Sequence, residues 1–188
     1  VCIARMPEDR SVVSPPSHCP ACGHGIRWYD NVPVLSWLIL RAKCRDCGTP
    51  ISSLYPTIEL LTGLVAWLIF RRVVEGPAEL DLAHGAAFGV YLVFAAMLIA
   101  QTFIDVRHYI IPDEFSVYAV PFGVASAALL TWLGYPGAPT WLESLAGAIL
   151  GAAILGFVTL AYWLVRRREG MGFGDVKLLA MIGAFLGA

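Results

Sequence analysis

The sequence predicts an all-α polytopic membrane protein with a small cytoplasmic zinc-binding loop domain. Three observations predict it. Of the 188 residues, 58% are hydrophobic and only 14% charged, against about 25% charged in an ordinary soluble domain. The mean hydropathy is +0.69, and so short a chain cannot hide that much apolar surface in a soluble core. The apolar residues fall into blocks of membrane-spanning length, while the polar ones gather in one Pro- and Cys-rich stretch near the start.

That polar stretch covers residues 5–55. Five apolar blocks follow, at about 56–70, 84–104, 115–133, 141–165 and from Phe173 onward. A helix needs about 20 apolar residues to cross the hydrocarbon. The second, third and fourth blocks have that length, the first is marginal, and the fifth stops with the chain. None alternates with the period of a barrel strand, and only helices or closed barrels satisfy their backbone in lipid. Two domains are expected: residues 1–55, the end of a membrane helix plus the zinc loop, and residues 56–188, a helical membrane domain. The chain opens on Val1-Cys2-Ile3-Ala4 and closes on Gly183-Ala184-Phe185-Leu186-Gly187-Ala188. Both ends read as interrupted apolar segments, so further helices are expected outside it. Gly147 and Gly151 form a GxxxG, which predicts close helix packing.

Lys and Arg set the orientation. With the polar stretch inside, all but Arg71 and Arg72 of the 13 positive residues lie on the inner side. The outer joints hold Glu75, Glu79, Asp81 and Glu143, which the rule tolerates. The net charge of −1 offers no basic excess for nucleic acid.

Cys19-Pro20-Ala21-Cys22 and Cys44-Arg45-Asp46-Cys47 are two CxxC pairs, each followed by a glycine, Gly23 or Gly48. Such pairs converge four thiolates on one tetrahedral zinc. No coordination position is left for water, so the metal's role is structural. The alternatives are two disulfides or four free thiols, and a cytoplasmic location disfavours disulfides. His18 and His24 flank the first pair and are read as solvated or supporting residues. Cys2 stands alone, as a small buried apolar residue.

Asp105 ends the second block in Phe103-Ile104-Asp105-Val106-Arg107, and Asp175 opens the fifth in Gly172-Phe173-Gly174-Asp175. Ionisable groups at membrane depth are costly and point to function. Two close carboxylates share one proton, so one serves as base toward water and the other as acid toward a carbonyl. The alternative is structural: Asp105 marks a helix end and pairs with Arg107, while Asp175 caps or opens a helix near Lys177. Asp113, after Pro112, is explained by N-capping. Glu59 is either a first-turn carboxylate or a polar group facing the zinc loop.

Taken in order, these motifs resemble the bacterial type IV prepilin leader peptidase and N-methyltransferase family of GxGD intramembrane aspartyl peptidases. The resemblance runs from the helix exit with Arg5 and Pro7, through the cysteine loop with Asp30-Asn31-Val32-Pro33-Val34-Leu35-Ser36-Trp37, to Ile51–Leu61, to Asp105–Asp113, and to the GxGD at Gly172–Asp175. GxGD alone is a weak signal; five motifs in order are specific. The resemblance implies that Asp105 and Asp175 are catalytic. It implies cleavage after a glycine that ends a short basic leader, at the cytoplasmic face of the bacterial inner membrane. The released N-terminus, usually phenylalanine, is then methylated from S-adenosylmethionine. The implied partners are type IV prepilins or the pseudopilins of type II secretion. No Gly-rich strand–turn–helix fingerprint is present, so no residue is assigned to S-adenosylmethionine. Two rival readings remain at this point: a peptidase without methyltransferase activity, and a non-enzymatic zinc-bearing membrane scaffold.

Overall fold

Every apolar block is a helix, and local chemistry sets where each begins and ends. The computed structural model describes residues 2–8, 11–76, 79–168 and 172–188. The expectations for the Cys2 side chain and for Arg10 fall outside the described residues. Among the described residues, four helical segments are long and apolar enough to cross a membrane: Leu54–Val73, Leu82–His108, Asp113–Trp132, which is interrupted at Val117 and Tyr118, and Trp141–Arg166. No extended strand occurs among the described residues. The chain divides into two units, Val1–Ile69 and Phe70–Ala188.

In the first unit, α1 (Cys2–Arg5) leads into a 3₁₀ turn at Met6–Glu8. The Arg5 guanidinium ties down the following loop, donating to the carbonyls of Ser11 (3.0 Å) and Pro15 (2.8 Å). Short bridges, His18 with Gly25 and Lys43 with Pro50, close the two cysteine knuckles. Gly23 and Gly48 take positive φ of 73° and 72°, the left-handed turn that glycine adopts without steric cost. After α2 (Leu35–Ile39) comes α3 (Leu54–Val73). Pro56 sits in its first turn, where the missing N–H has no helical partner to lose. The marginal first block is therefore a 20-residue helix.

In the second unit, α4 (Leu82–His108) begins at Asp81, whose carboxylate accepts from the His84 N–H at 2.9 Å. It ends at Tyr109 in the left-handed conformation, after Arg107 and His108, which suit the negative end of the helix dipole. The helix runs four residues past the expected limit at Ile104, so Asp105 lies inside its last turn. The third block, expected as one helix, is two: α5 (Asp113–Ser116) and α6 (Ala119–Trp132). The break precedes Pro121, which has no N–H for the carbonyl of Val117; the N–H groups of both Val117 and Tyr118 instead fall back on the Asp113 carbonyl. Helix α7 (Trp141–Arg166) starts from a capping box between Thr140 and Glu143. Two of the acidic residues read as outer-joint charges, Asp81 and Glu143, thus serve as helix starts. Helix α8 (Phe173–Leu186) follows Gly172.

Helices α7 and α8 meet backbone to backbone, as the GxxxG predicts. A Cβ on Gly147 would run into the carbonyl of Gly183, and one on Gly151 into the carbonyl of Leu179. The Ser144 hydroxyl donates to the Ala184 carbonyl across the same contact. On its other side α8 supplies Met181 and Phe185 to a core with Phe94 of α4 and Ala119 of α6. The Phe94 and Phe185 rings stack at 4.5 Å. Outward, α7 presents Leu150, Ile154, Phe157 and Leu164 as exposed apolar side chains, as a lipid-facing helix does.

Candidate active site and metal centre

The four cysteine sulfurs of Cys19, Cys22, Cys44 and Cys47 lie within 4.8 Å of one another, and those of Cys19 and Cys47 are 3.8 Å apart. Tetrahedral zinc with Zn–S of about 2.3 Å requires an S–S edge of roughly that length, so the donor set fits the ion. All four are free thiols. The first knuckle's own backbone favours the thiolate: the N–H groups of Cys22 and Ala21 lower the Cys19 pKa. At Cys47 the Thr49 hydroxyl, then the Thr49 N–H, bring it down to about 6. Cys22 is pushed up to about 11: the His24 N–H favours its thiolate, but lost solvent and the crowd of other sulfurs outweigh it. A dication at the centre would relieve that crowding. His18 bonds through Nδ1 to the Pro16 carbonyl at 3.1 Å, and neither His18 nor His24 joins the cluster.

The second knuckle also holds the Asp30–Val34 segment. Arg45 grips Asp30 with two bonds, Nε to Oδ2 at 2.8 Å and Nη2 to Oδ1 at 2.6 Å. This hydrogen-bonded guanidinium holds the Asp30 carboxyl below the usual carboxylate range. Arg45 also lies 5.5 Å from the Tyr29 ring centre. Beyond Asp30 the chain passes through Val34 at φ 60°, ψ −48°. The Leu35 N–H reaches back to the Pro33 carbonyl, making a γ-turn that is strained for a β-branched residue. The Val34 N–H donates to Glu59 Oε2 at 2.7 Å. Glu59 is in the second turn of α3 rather than its first, and it faces the loop.

Asp105 lies in the last turn of α4 and Asp175 in the first turn of α8, and the segment that follows α4 meets the start of α8. Ile111, between α4 and α5, packs on Gly174: a Cβ there would sit 3.1 Å from Ile111 Cδ1. Lys177 of α8 donates to Asp113 Oδ1 at 2.7 Å. Asp113 is thus the first residue of α5 and not its cap; Pro112 holds the cap position. Its carboxylate is taken by Lys177, the lysine expected beside Asp175. Asp175 is in the first turn of α8, with Gly172 as cap, and opens on a groove lined by Leu155, Leu178, Leu179 and Ile182. Among the described residues, the side chains of Asp105 and Asp175 make no hydrogen bond or ion pair, to each other or to Arg107. Two polar groups were missed from sequence: the Asp113–Lys177 pair, whose partners are 64 residues apart, and Gln101, a buried amide one turn before Asp105. A glutamine inside an otherwise apolar block was the available signal.

Spanning helices, a four-thiol loop and two carboxylates on adjoining segments define a polytopic membrane protein with a loop that could hold a metal ion. The chain belongs to the type IV leader peptidase family, whose model matches residues 92–188, and the bacterial peptidase A24 N-terminal domain matches residues 1–73. It is 43% identical over 99% of its length to a prepilin leader peptidase/N-methyltransferase of Myxococcus xanthus, covering 51% of that protein. Proteins of the same description from Dichelobacter nodosus and Aeromonas hydrophila are 36% and 37% identical over 97% and 96% of this chain, which covers 59% and 60% of them. The chain therefore spans between half and three fifths of these relatives. No solved structure matches it significantly.

Proposed function

We propose that this chain carries the catalytic aspartates and the zinc loop of an aspartyl endopeptidase that removes the leader of type IV prepilins or pseudopilins after a glycine. The observation that carries this is the meeting of the Asp105–Asp113 segment with the GxGD turn, through Ile111 on Gly174 and Lys177 on Asp113. In the reaction, one aspartate as carboxylate takes a proton from water as the oxygen attacks the scissile carbonyl. The other, protonated, donates to the carbonyl oxygen. Collapse of the tetrahedral species breaks the C–N bond as the amine nitrogen receives a proton. Zinc held by Cys19, Cys22, Cys44 and Cys47 would order the loop and, with four thiolates around it, would leave no position for a reacting water.

The same reading includes N-methylation of the new N-terminus, with S-adenosylmethionine supplying the methyl group. The names of the relatives support it; no residue of this chain is assigned to the donor. Glu59, held at the loop by Val34, is our candidate for orienting the amine. The distribution of Lys and Arg supports an active site facing the cytoplasm, and the bacterial relatives support an inner-membrane location.

The test is incubation of the full-length protein with a prepilin peptide and S-adenosylmethionine, products read by mass spectrometry. Cleavage after the glycine, plus a methyl group on the following residue, is expected; an uncut peptide overturns the reading. Glu59→Gln should depress methylation of a precleaved peptide more than cleavage of an intact one. Normal methylation by that variant removes Glu59 from the site.

A further inference from the structure

Gln101 is 2% exposed within α4, a position where leucine would cost nothing in desolvation. Its Nε2 donates to the carbonyl of Phe115, while its Oε1 is buried without a partner. The reverse amide orientation would set oxygen against that carbonyl, so the bond to Phe115 fixes which atom is left over. An unpartnered buried amide oxygen forfeits its hydration without replacement, and such exceptions call for an explanation.

The explanation lies in what Phe115 belongs to. It is in α5, directly after the connection from Tyr109 to Pro112 that follows Asp105. Gln101 is one helical turn before Asp105, on the same face of α4. It therefore anchors the far end of the connection to the stretch of helix that carries the first aspartate. From that anchored end, Asp113 reaches Lys177, two residues after Asp175, at 2.7 Å. Ile111, in the middle of the connection, fills the space over Gly174. The covalent path from Asp105 to Asp175 is 70 residues long. The path through Gln101, Phe115, Asp113 and Lys177 is a few side chains.

We propose that Gln101 and Lys177 are positioning residues that together fix the separation of the two aspartates, a clamp closed by Phe115 and Asp113. This inference rests on the aspartate-pair reading above. Neither residue touches the reacting atoms. Each acts by holding the connection, and a misplacement of about 1 Å can cost about a hundredfold in rate.

The test uses the full-length protein with Gln101→Leu, Lys177→Met and Lys177→Arg, cleaving a prepilin peptide. Gln101→Leu and Lys177→Met should each lower kcat about ten- to a hundredfold with KM unchanged, and Lys177→Arg, which can still reach Asp113, should restore most of it. Amide hydrogen exchange should quicken across residues 109–118 in the first two variants and not across α7. Because Gln101→Leu removes the bond to Phe115 together with the unpaired oxygen, each variant's melting temperature is measured beside its rate, and a rate lost in protein that melts like wild type is not assigned to unfolding. Wild-type kcat in either slow variant, a change confined to KM, or exchange at 109–118 that stays as slow as wild type overturns the clamp. Failure of the aspartate pair itself shows differently: Asp105→Asn and Asp175→Asn would cleave normally, while the exchange measurement would still report whether the connection is held.

Discussion

At the scale of single residues, the two aspartates and the two arginine–carboxylate bonds make separable claims. Asp105→Asn and Asp175→Asn should each reduce cleavage by at least about a hundredfold, the low end for a lost acid or base. The double variant should be scarcely worse than either single one, because the pair acts as a unit. A wild-type rate for Asp175→Asn would sink the pair. The Arg45 grip on Asp30 has a pH signature. It lowers the Asp30 pKa below the unfolded value of about 3.9, so its stabilisation is complete above about pH 4 and is lost as pH falls through the folded value. Zinc competes with protons for thiolates above that range. Arg45→Met should therefore release zinc at a higher pH than wild type in an acid titration followed with a zinc-responsive dye. Coincident release curves would show that the grip does not support the loop.

At the scale of elements, helix packing makes its own prediction. Gly147 and Gly183 leave no room for a side chain, so Gly147→Leu should force α7 and α8 apart and cost at least about 1–3 kcal/mol, as overpacking does. Ile149→Ala, on the exposed side of α7, should leave the melting temperature in detergent close to wild type. Equal melting of the two variants would contradict the close contact. Thr140→Ala should remove the α7 capping box and cost about 1 kcal/mol. How far these elements could be read in advance depended on the kind of force that sets them. The five apolar blocks were legible because lipid imposes both length and composition. The GxxxG contact and the cysteine cluster were legible because small residues and paired thiols at fixed spacing have few other uses. The split between α5 and α6 was missed, although Pro121 was in view, because composition stays apolar across it. The extension of α4 to His108 was missed because polar Arg107 and His108 suit a helix end as well as they suit a loop. The partners of Asp113, Lys177 and Gln101 were not legible, although a glutamine in an apolar block marked Gln101 out. Their partners are chosen by tertiary contact, and no local rule pairs a carboxylate with a lysine 64 residues away.

At the scale of the whole molecule, metal and membrane are separate sources of order. The thiol cluster draws all four ligands from residues 19–47, while the helices are held by apolar and glycine contacts. The purified protein should hold about one zinc per chain, as one four-thiolate site does. Cys22→Ser or Cys47→Ser should quicken hydrogen exchange across residues 19–47 and leave that of α7 and α8 near wild type. Metal analysis that finds no zinc, with all four thiols open to alkylation, would overturn the metal centre. Finally, the join between α7 and α8 is made largely of main chain, with little side-chain cushion to compress. The two helices are a welded plate, and Asp175 is bolted to it. Asp105 sits across a connection of only a few residues that is stitched to that plate by one ion pair and one seated isoleucine. If the two aspartates flank a polypeptide as proposed, the plate cannot yield, and whatever small adjustment the substrate demands falls on the Tyr109–Pro112 strap, within the limits that its stitches set.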